Sequence, residues 1–248
     1  MEPQDIDVAC RALVSARRTN LGVEVTLPVI YPTGQAVRVV VAAESGAYVV
    51  YDASHGAMGL TSAGVRFTRE IEARLARMAE SFGCEYLNGR ISTRCREDQL
   101  AVAIALVANA SRGVGDEARS VAATAARDFA AKVDGALRAA FGRRLRAQQE
   151  IVADSGKAYR VSHVLLDRAE RGYVAFIEPA ASPAVVPRRV AEFLDLRDEY
   201  PDVAREAVYD DGEEANWDGA NLLLLQKVSN PVPFSKSAPR LRALAEAA

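Results

Sequence analysis

An α+β protein of two small domains, each of antiparallel strands packed with helices, is predicted by three observations. Valine-rich segments punctuated by turn residues fall between 22 and 52, and further strand candidates with a turn between the first pair fall between 144 and 178. Segments with helical apolar spacing lie between and after them. The triplet Gly113-Val114-Gly115 interrupts an apolar stretch near the middle of the chain, and it sets the expected domains at 1–115 and 116–248.

The elements follow in order. Ile6 to Ala16 is a short amphipathic helix candidate. Gly22 to Ile30, Ala36 to Ala43 and Ala47 to Asp52 read as a three-stranded meander, turned at Tyr31-Pro32-Thr33-Gly34 and at Glu44-Ser45-Gly46. Thr68 to Phe82 places Ile71, Leu75, Met78 and Phe82 on one helix face, and Gly83 caps its end. Asn88-Gly89 between two short strands is the strongest hairpin signal in the chain. Arg96 to Ser111 reads as a buried helix ended by the glycine pair. In the second half a helix from Ala118 to Phe141 precedes strands at 144–153, 158–166 and 172–178. Pro187 opens another helix. Glu206 to Tyr209 and Leu222 to Val228 read as later strands, and a helix from Pro239 to Ala247 closes the order.

Composition excludes some classes. With 31 Lys and Arg against 33 Asp and Glu, the net charge of -2 gives no global attraction to nucleic acid or anionic membrane. Cys10, Cys84 and Cys95 are widely spaced, with no CxxC or Cys/His cluster, so no structural zinc site is expected. The acidic, polar start resembles no signal peptide, and no apolar run is long enough to span a bilayer. A reducing cytoplasm, with no membrane association, is the expected setting.

The strand pair around YPTG, the strand GAYVVYDAS ending in aspartate, the helix after it and the hairpin CEYLNGRIS with its apolar helix resemble an uncharacterised bacterial and prophage domain family. The second half resembles the companion domain often fused to it. This resemblance implies an architecture and a mobile-element or phage-conflict context, and it implies no reaction. In element order the second half is also similar to the restriction-endonuclease-like fold. That fold usually carries an aspartate on its second strand and Glu-x-Lys on its third. Here Ser162 and His163 stand where the acid is expected, and Ala180 stands where the lysine would be.

Several residues could carry chemistry. A metal-dependent phosphodiesterase needs at least two oxygen-donating acids for magnesium or manganese and a cation or base beside the attacking water. Asp154 and Glu178 could hold the metal, with Lys157 in place of the missing lysine. Against them stands the reading of a turn aspartate, a solvated lysine and a strand-end glutamate, with no catalytic residue, metal or cofactor. Arg138, Arg143, Arg144 and Arg146 cluster at a helix end, where they could fork onto phosphates or simply meet the helix dipole. From Glu192 to Glu214 there are ten acids against Arg197 and Arg205. Within that stretch Asp210, Asp211, Glu213 and Glu214 precede Trp217 and could present an acidic surface to a basic protein. Asp52 and His55 in a glycine-rich loop form a weaker candidate. The leading expectation is a non-catalytic interaction or nucleic-acid-associated protein. Its alternatives are a metal-dependent nuclease with rearranged acids and a protein inhibitor acting through the acidic surface.

Overall fold

The computed structural model describes residues 2–62, 65, 67–212 and 217–247. Its contacts divide the chain into two compact units, Met1–Ser62 with Phe67–Ala122 and Ala123–Ala248. Both are α+β, as the sequence predicts.

The first unit opens with α1 (Pro3–Ala12), none of whose residues is buried. Four strands follow: β1 (Ser15–Thr19), β2 (Gly22–Ile30), β3 (Ala36–Glu44) and β4 (Ala47–Tyr51). A short α2 (Met58–Ser62) and α3 (Arg69–Glu80) lead to β5 (Glu85–Leu87) and β6 (Arg90–Cys95). The strands form one antiparallel sheet in the order β1-β2-β3-β4-β6-β5. The expected meander is therefore part of a six-stranded sheet. Its edge strand, Ser-Ala-Arg-Arg-Thr, is solvated on both faces and carries no apolar alternation to announce it. Thr68 caps α3 by accepting from the Ile71 N–H, and Gly83 continues past its end at a φ of 69°. Asn88 and Gly89 both take positive φ, the backbone a type I′ hairpin turn requires.

Next comes α4 (Leu100–Phe141), one helix of 42 residues where the sequence predicts two. The glycines expected to break it instead allow close packing. A Cβ on Gly113 would lie 3.0 Å from the Met78 sulfur, and one on Gly115 would lie 3.1 Å from the Tyr31 ring. Each glycine costs a helix about 1 kcal/mol relative to alanine, and packing on both glycines offsets that here. The division between units falls inside α4.

In the second unit β7 (Leu145–Val152), β8 (Ala158–Leu166) and β9 (Tyr173–Ala180) form an antiparallel meander. After α5 (Val186–Glu199), β10 (Ala204–Tyr209) pairs parallel with β9. After α6 (Gly219–Gln226), β11 (Asn230–Pro233) pairs parallel with β10, and α7 (Ser237–Ala247) closes the chain. The sheet order is β11-β10-β9-β8-β7. One face packs Val164, Phe176 and Ala207 against Val186, Phe193 and Leu196 of α5 and Leu225 of α6. The other packs Leu165, Ala175 and Ile177 against Phe129, Val133 and Leu137 of α4 and Leu241 and Leu244 of α7.

The segment 222–228, expected as a strand, is mostly the helix α6. Asp218 caps it by accepting from the Asn221 N–H at 2.7 Å, and its four leucines are good helix formers. The true strand is Asn-Pro-Val-Pro, whose prolines suit a sheet edge. Among the described residues no helix is long and apolar enough to cross a membrane.

Candidate functional site

Glu178 is the acid best placed by the fold, and its environment is internal. The β8–β9 ladder ends at the His163–Ile177 pair, and Glu178 is the next residue of β9. Its carboxylate takes the Ser162 N–H at 2.7 Å and the Ser162 hydroxyl at 2.6 Å. Opposite Ser162 on β7 lies Gln148, held at a φ of 53°.

Arg189 of α5 forms an ion pair with the same carboxylate, and the two side chains are 7% and 4% exposed. Arg189 also reaches Glu192 at 2.6 Å. Burial pushes the Glu178 carboxyl up, while the Arg189 charge and the two Ser162 donors pull it down. Ser162 and Arg189 together engage both Glu178 oxygens as a clamp. The Arg189 Nε is buried without a hydrogen-bond partner among the described residues.

The other nuclease candidates lie elsewhere. Asp154 is exposed in the β7–β8 turn, next to the Val152–Ala158 pair. From Ala158 to Ser162 the strand rises about 13 Å, so Asp154 and Glu178 do not converge on one ion. Lys157 is exposed and lies over the Tyr159 ring, 4.7 Å from its centre, instead of approaching Glu178. Among the described residues no cluster of His, Cys, Asp and Glu is arranged to hold a metal.

His163 points to the opposite side of the sheet from Glu178. Its Nε2 is 3.1 Å from Asp134 of α4, and its Nδ1 is buried with no partner among the described residues. Burial pulls the imidazole below its ordinary value, against the raising effect of Asp134.

The arginine cluster is partly neutralised by Asp134, one turn earlier on α4, and by Glu170, which is distant in sequence. Arg138 pairs with Asp134 at 2.7 Å, and Arg143 and Arg146 both pair with Glu170, at 3.1 and 2.7 Å. Arg144 donates to the Ala245 carbonyl, and one of its terminal nitrogens is buried without a partner, so it belongs to the packing of α7. Arg143 remains 87% exposed.

The acidic candidates are bonded locally at the surface. Asp211 accepts from the Ser235 N–H at 2.9 Å and from its hydroxyl, and Asp210 accepts from the Gly212 N–H at 3.0 Å. Trp217, considered as a surface anchor, instead packs on the α5 side of the core with its ring 5.3 Å from that of Tyr209. Glu213 and Glu214 lie outside the described residues.

In the first unit Asp52 is fully buried and organises its loop. One oxygen accepts from the Ser54 and Ile91 N–H groups at 3.0 and 2.9 Å. The other accepts from the Gly56 N–H at 3.0 Å and the Ser111 hydroxyl at 2.6 Å. Ser111 also contacts the Tyr31 hydroxyl at 2.6 Å, and burial pushes the Tyr31 phenol up to about 12. With these four bonds Asp52 is a structural carboxylate. The chain as a whole matches no family model, no curated protein and no solved structure.

A feature the sequence reading missed is a cleft at the start of β10 and β11, lined by Arg197, Arg205, Glu206, Lys227, Asn230 and Arg240 among others. Its cations come from α5, β10, the end of α6 and α7, too dispersed to read as a motif.

Proposed function

We propose that this protein is a non-catalytic, nucleic-acid-associated module of mobile-element or phage-conflict context. Support comes from the order of elements in its second unit, a helix, three antiparallel strands, a helix and a parallel strand. The observation that carries the reading is the Glu178 clamp: Ser162 and Arg189 occupy the carboxylate that a nuclease would present to its metal. A buried, hydrogen-bonded ion pair serves to hold β8, β9 and α5 together. The acidic-surface alternative is weaker, because Trp217, its aromatic anchor, packs against the core.

Nucleic-acid association is supported by the arginine surface, where Arg138, Arg143 and Arg146 face Asp134 and Glu170 and the most exposed of them, Arg143, projects into solvent. Such contacts act on phosphates and read no sequence. Fluorescence anisotropy of a labelled oligonucleotide across a salt series tests the reading. Binding should weaken as salt rises, and Arg143→Glu with Arg146→Glu should lower both the affinity and the salt slope. Binding unchanged by the double reversal would refute the surface, and absence of binding at low salt would refute the reading as a whole.

A further inference from the structure

The cleft of about 340 Å³ in the second unit is lined by Arg197, Arg205, Lys227 and Arg240 and by one carboxylate, Glu206, while Arg197 is paired with Asp198 beside it at 3.0 Å. Glu206 is buried at 1% side-chain exposure, accepts from Asn230 at 2.8 Å and is forked by Arg240 through Nε at 3.0 Å and a terminal nitrogen. That fork fixes the Arg240 guanidinium while leaving part of its five-donor edge free. Arg205 spends Nε on the Val228 carbonyl and one terminal nitrogen on the Tyr200 and Val203 carbonyls. Its other terminal nitrogen has no hydrogen-bond partner among the described residues. Burial and the neighbouring Arg197 charge both pull the Arg205 guanidinium below its ordinary value, and Asp198 opposes them. Near the end of α6 the Leu225 carbonyl is already bonded by the Ser229 hydroxyl. The result is a preformed concave site with more cations than anions, of the size that small ligands occupy.

Beside it lies an open apolar surface formed by Ala220, Leu223 and Leu224 of α6, which shares Gln226 and Lys227 with the cleft. Leu223 and Leu224 are 62% and 44% exposed. A charged cleft continuous with a flat apolar surface matches a ligand that has a phosphate at one end and an aromatic ring system at the other.

We propose that the second unit binds a nucleotide, with its phosphate among Arg197, Arg205, Lys227 and Arg240 and its base on the leucine surface of α6. This site is separate from the arginine surface at 138–146 and does not require that surface to function. The nucleotide can be free or the phosphorylated end of a strand, and only the second source rests on the nucleic-acid reading above.

Calorimetric titration of the full chain with adenosine monophosphate, adenosine and inorganic phosphate tests the site. The monophosphate should bind more tightly than either fragment. Lys227→Glu, at an exposed position, and Arg197→Ala, at a half-buried one, should each weaken it about tenfold or more, the loss of one charge-assisted contact. Leu223→Asp should weaken the monophosphate and leave phosphate binding unchanged, whereas Arg143→Glu should leave both unchanged. Thermal melts of the variants should match the wild type. No heat with the monophosphate, or binding insensitive to Lys227→Glu and Arg197→Ala, would overturn the proposal and leave oligonucleotide binding at the arginine surface to stand or fall separately. Competition between the monophosphate and an oligonucleotide carrying a terminal phosphate would identify the strand end as a ligand of this site. Monophosphate binding without such competition would identify the free nucleotide.

Discussion

Replacing Arg189 with leucine should destabilise the second unit by about 3–5 kcal/mol at neutral pH, the cost of leaving a buried charge without its partner. The side chains of Glu178 and Arg189 are 4% and 7% exposed, so water cannot replace the lost cation. Only the two Ser162 donors remain on the carboxylate. Total stabilities of domains run about 5–15 kcal/mol, so the variant should fold marginally.

The pH dependence has a definite sign. Burial already pushes the Glu178 carboxyl up, and removing the opposing Arg189 charge raises it further. The folded variant then holds a proton at a pH where the unfolded chain, with an ordinary carboxyl near about 4.3, has lost it. Stability of the variant relative to wild type should therefore recover as pH falls from neutral through the raised folded value. Adding Glu178→Gln should recover at least about 2 kcal/mol at neutral pH, because the second change removes the stranded charge. Urea unfolding at a series of pH values measures all of this. A deficit below about 1 kcal/mol at neutral pH, or one that grows on acidification, would refute the account of the clamp.

Further outcomes follow from other buried groups. Gly56→Ala should destabilise the first unit by about 1–3 kcal/mol, since its Cβ would lie 2.6 Å from the Ser111 carbonyl oxygen; a thermal melt equal to wild type would contradict the packing. His163 is buried with a lowered folded value, so it should contribute stability above the ordinary imidazole value of about 6.5 that is lost as pH falls through it. A His163→Gln variant should lack that component of the acid limb in a urea series, and an unchanged limb would show that His163 does not cause it. Trp217, the single tryptophan, should be weakly quenched by acrylamide in the folded protein and strongly quenched in urea. Strong quenching in both states would contradict its packing beside Tyr209.

The sequence announces those elements whose signals are local. Asn88-Gly89 requires positive φ at both positions and gives the hairpin, and the spacing of Ile71, Leu75 and Met78 gives α3. It misleads where tertiary contact overrides local preference. Gly113 and Gly115 look like a break, yet they lie within α4 because Met78, Phe82 and Tyr31 need the space. The run Leu222 to Leu225 looks like a buried strand, and the cap that makes it a helix is Asp218, just upstream.

At the candidate site Glu178 is legible as a strand-end acid, but its state depends on a residue of the next helix. A signal for that partner was present. Val186, Arg189, Phe193 and Leu196 make the buried stripe of α5, and an arginine on such a stripe demands a buried acid. The acids that neutralise Arg138, Arg143 and Arg146 come partly from Glu170 in a later turn. The basic cleft draws on four separate elements, so no sequence window contains it.

The central claim is that Glu178 serves as the acid of an internal clamp and not of a metal site. The most direct measurement is a cleavage assay on single-stranded and duplex DNA and on RNA, with magnesium and with manganese, comparing the wild-type protein with Glu178→Ala. The clamp account gives no cutting of any substrate by either protein. Cutting by the wild type that disappears in Glu178→Ala would contradict it.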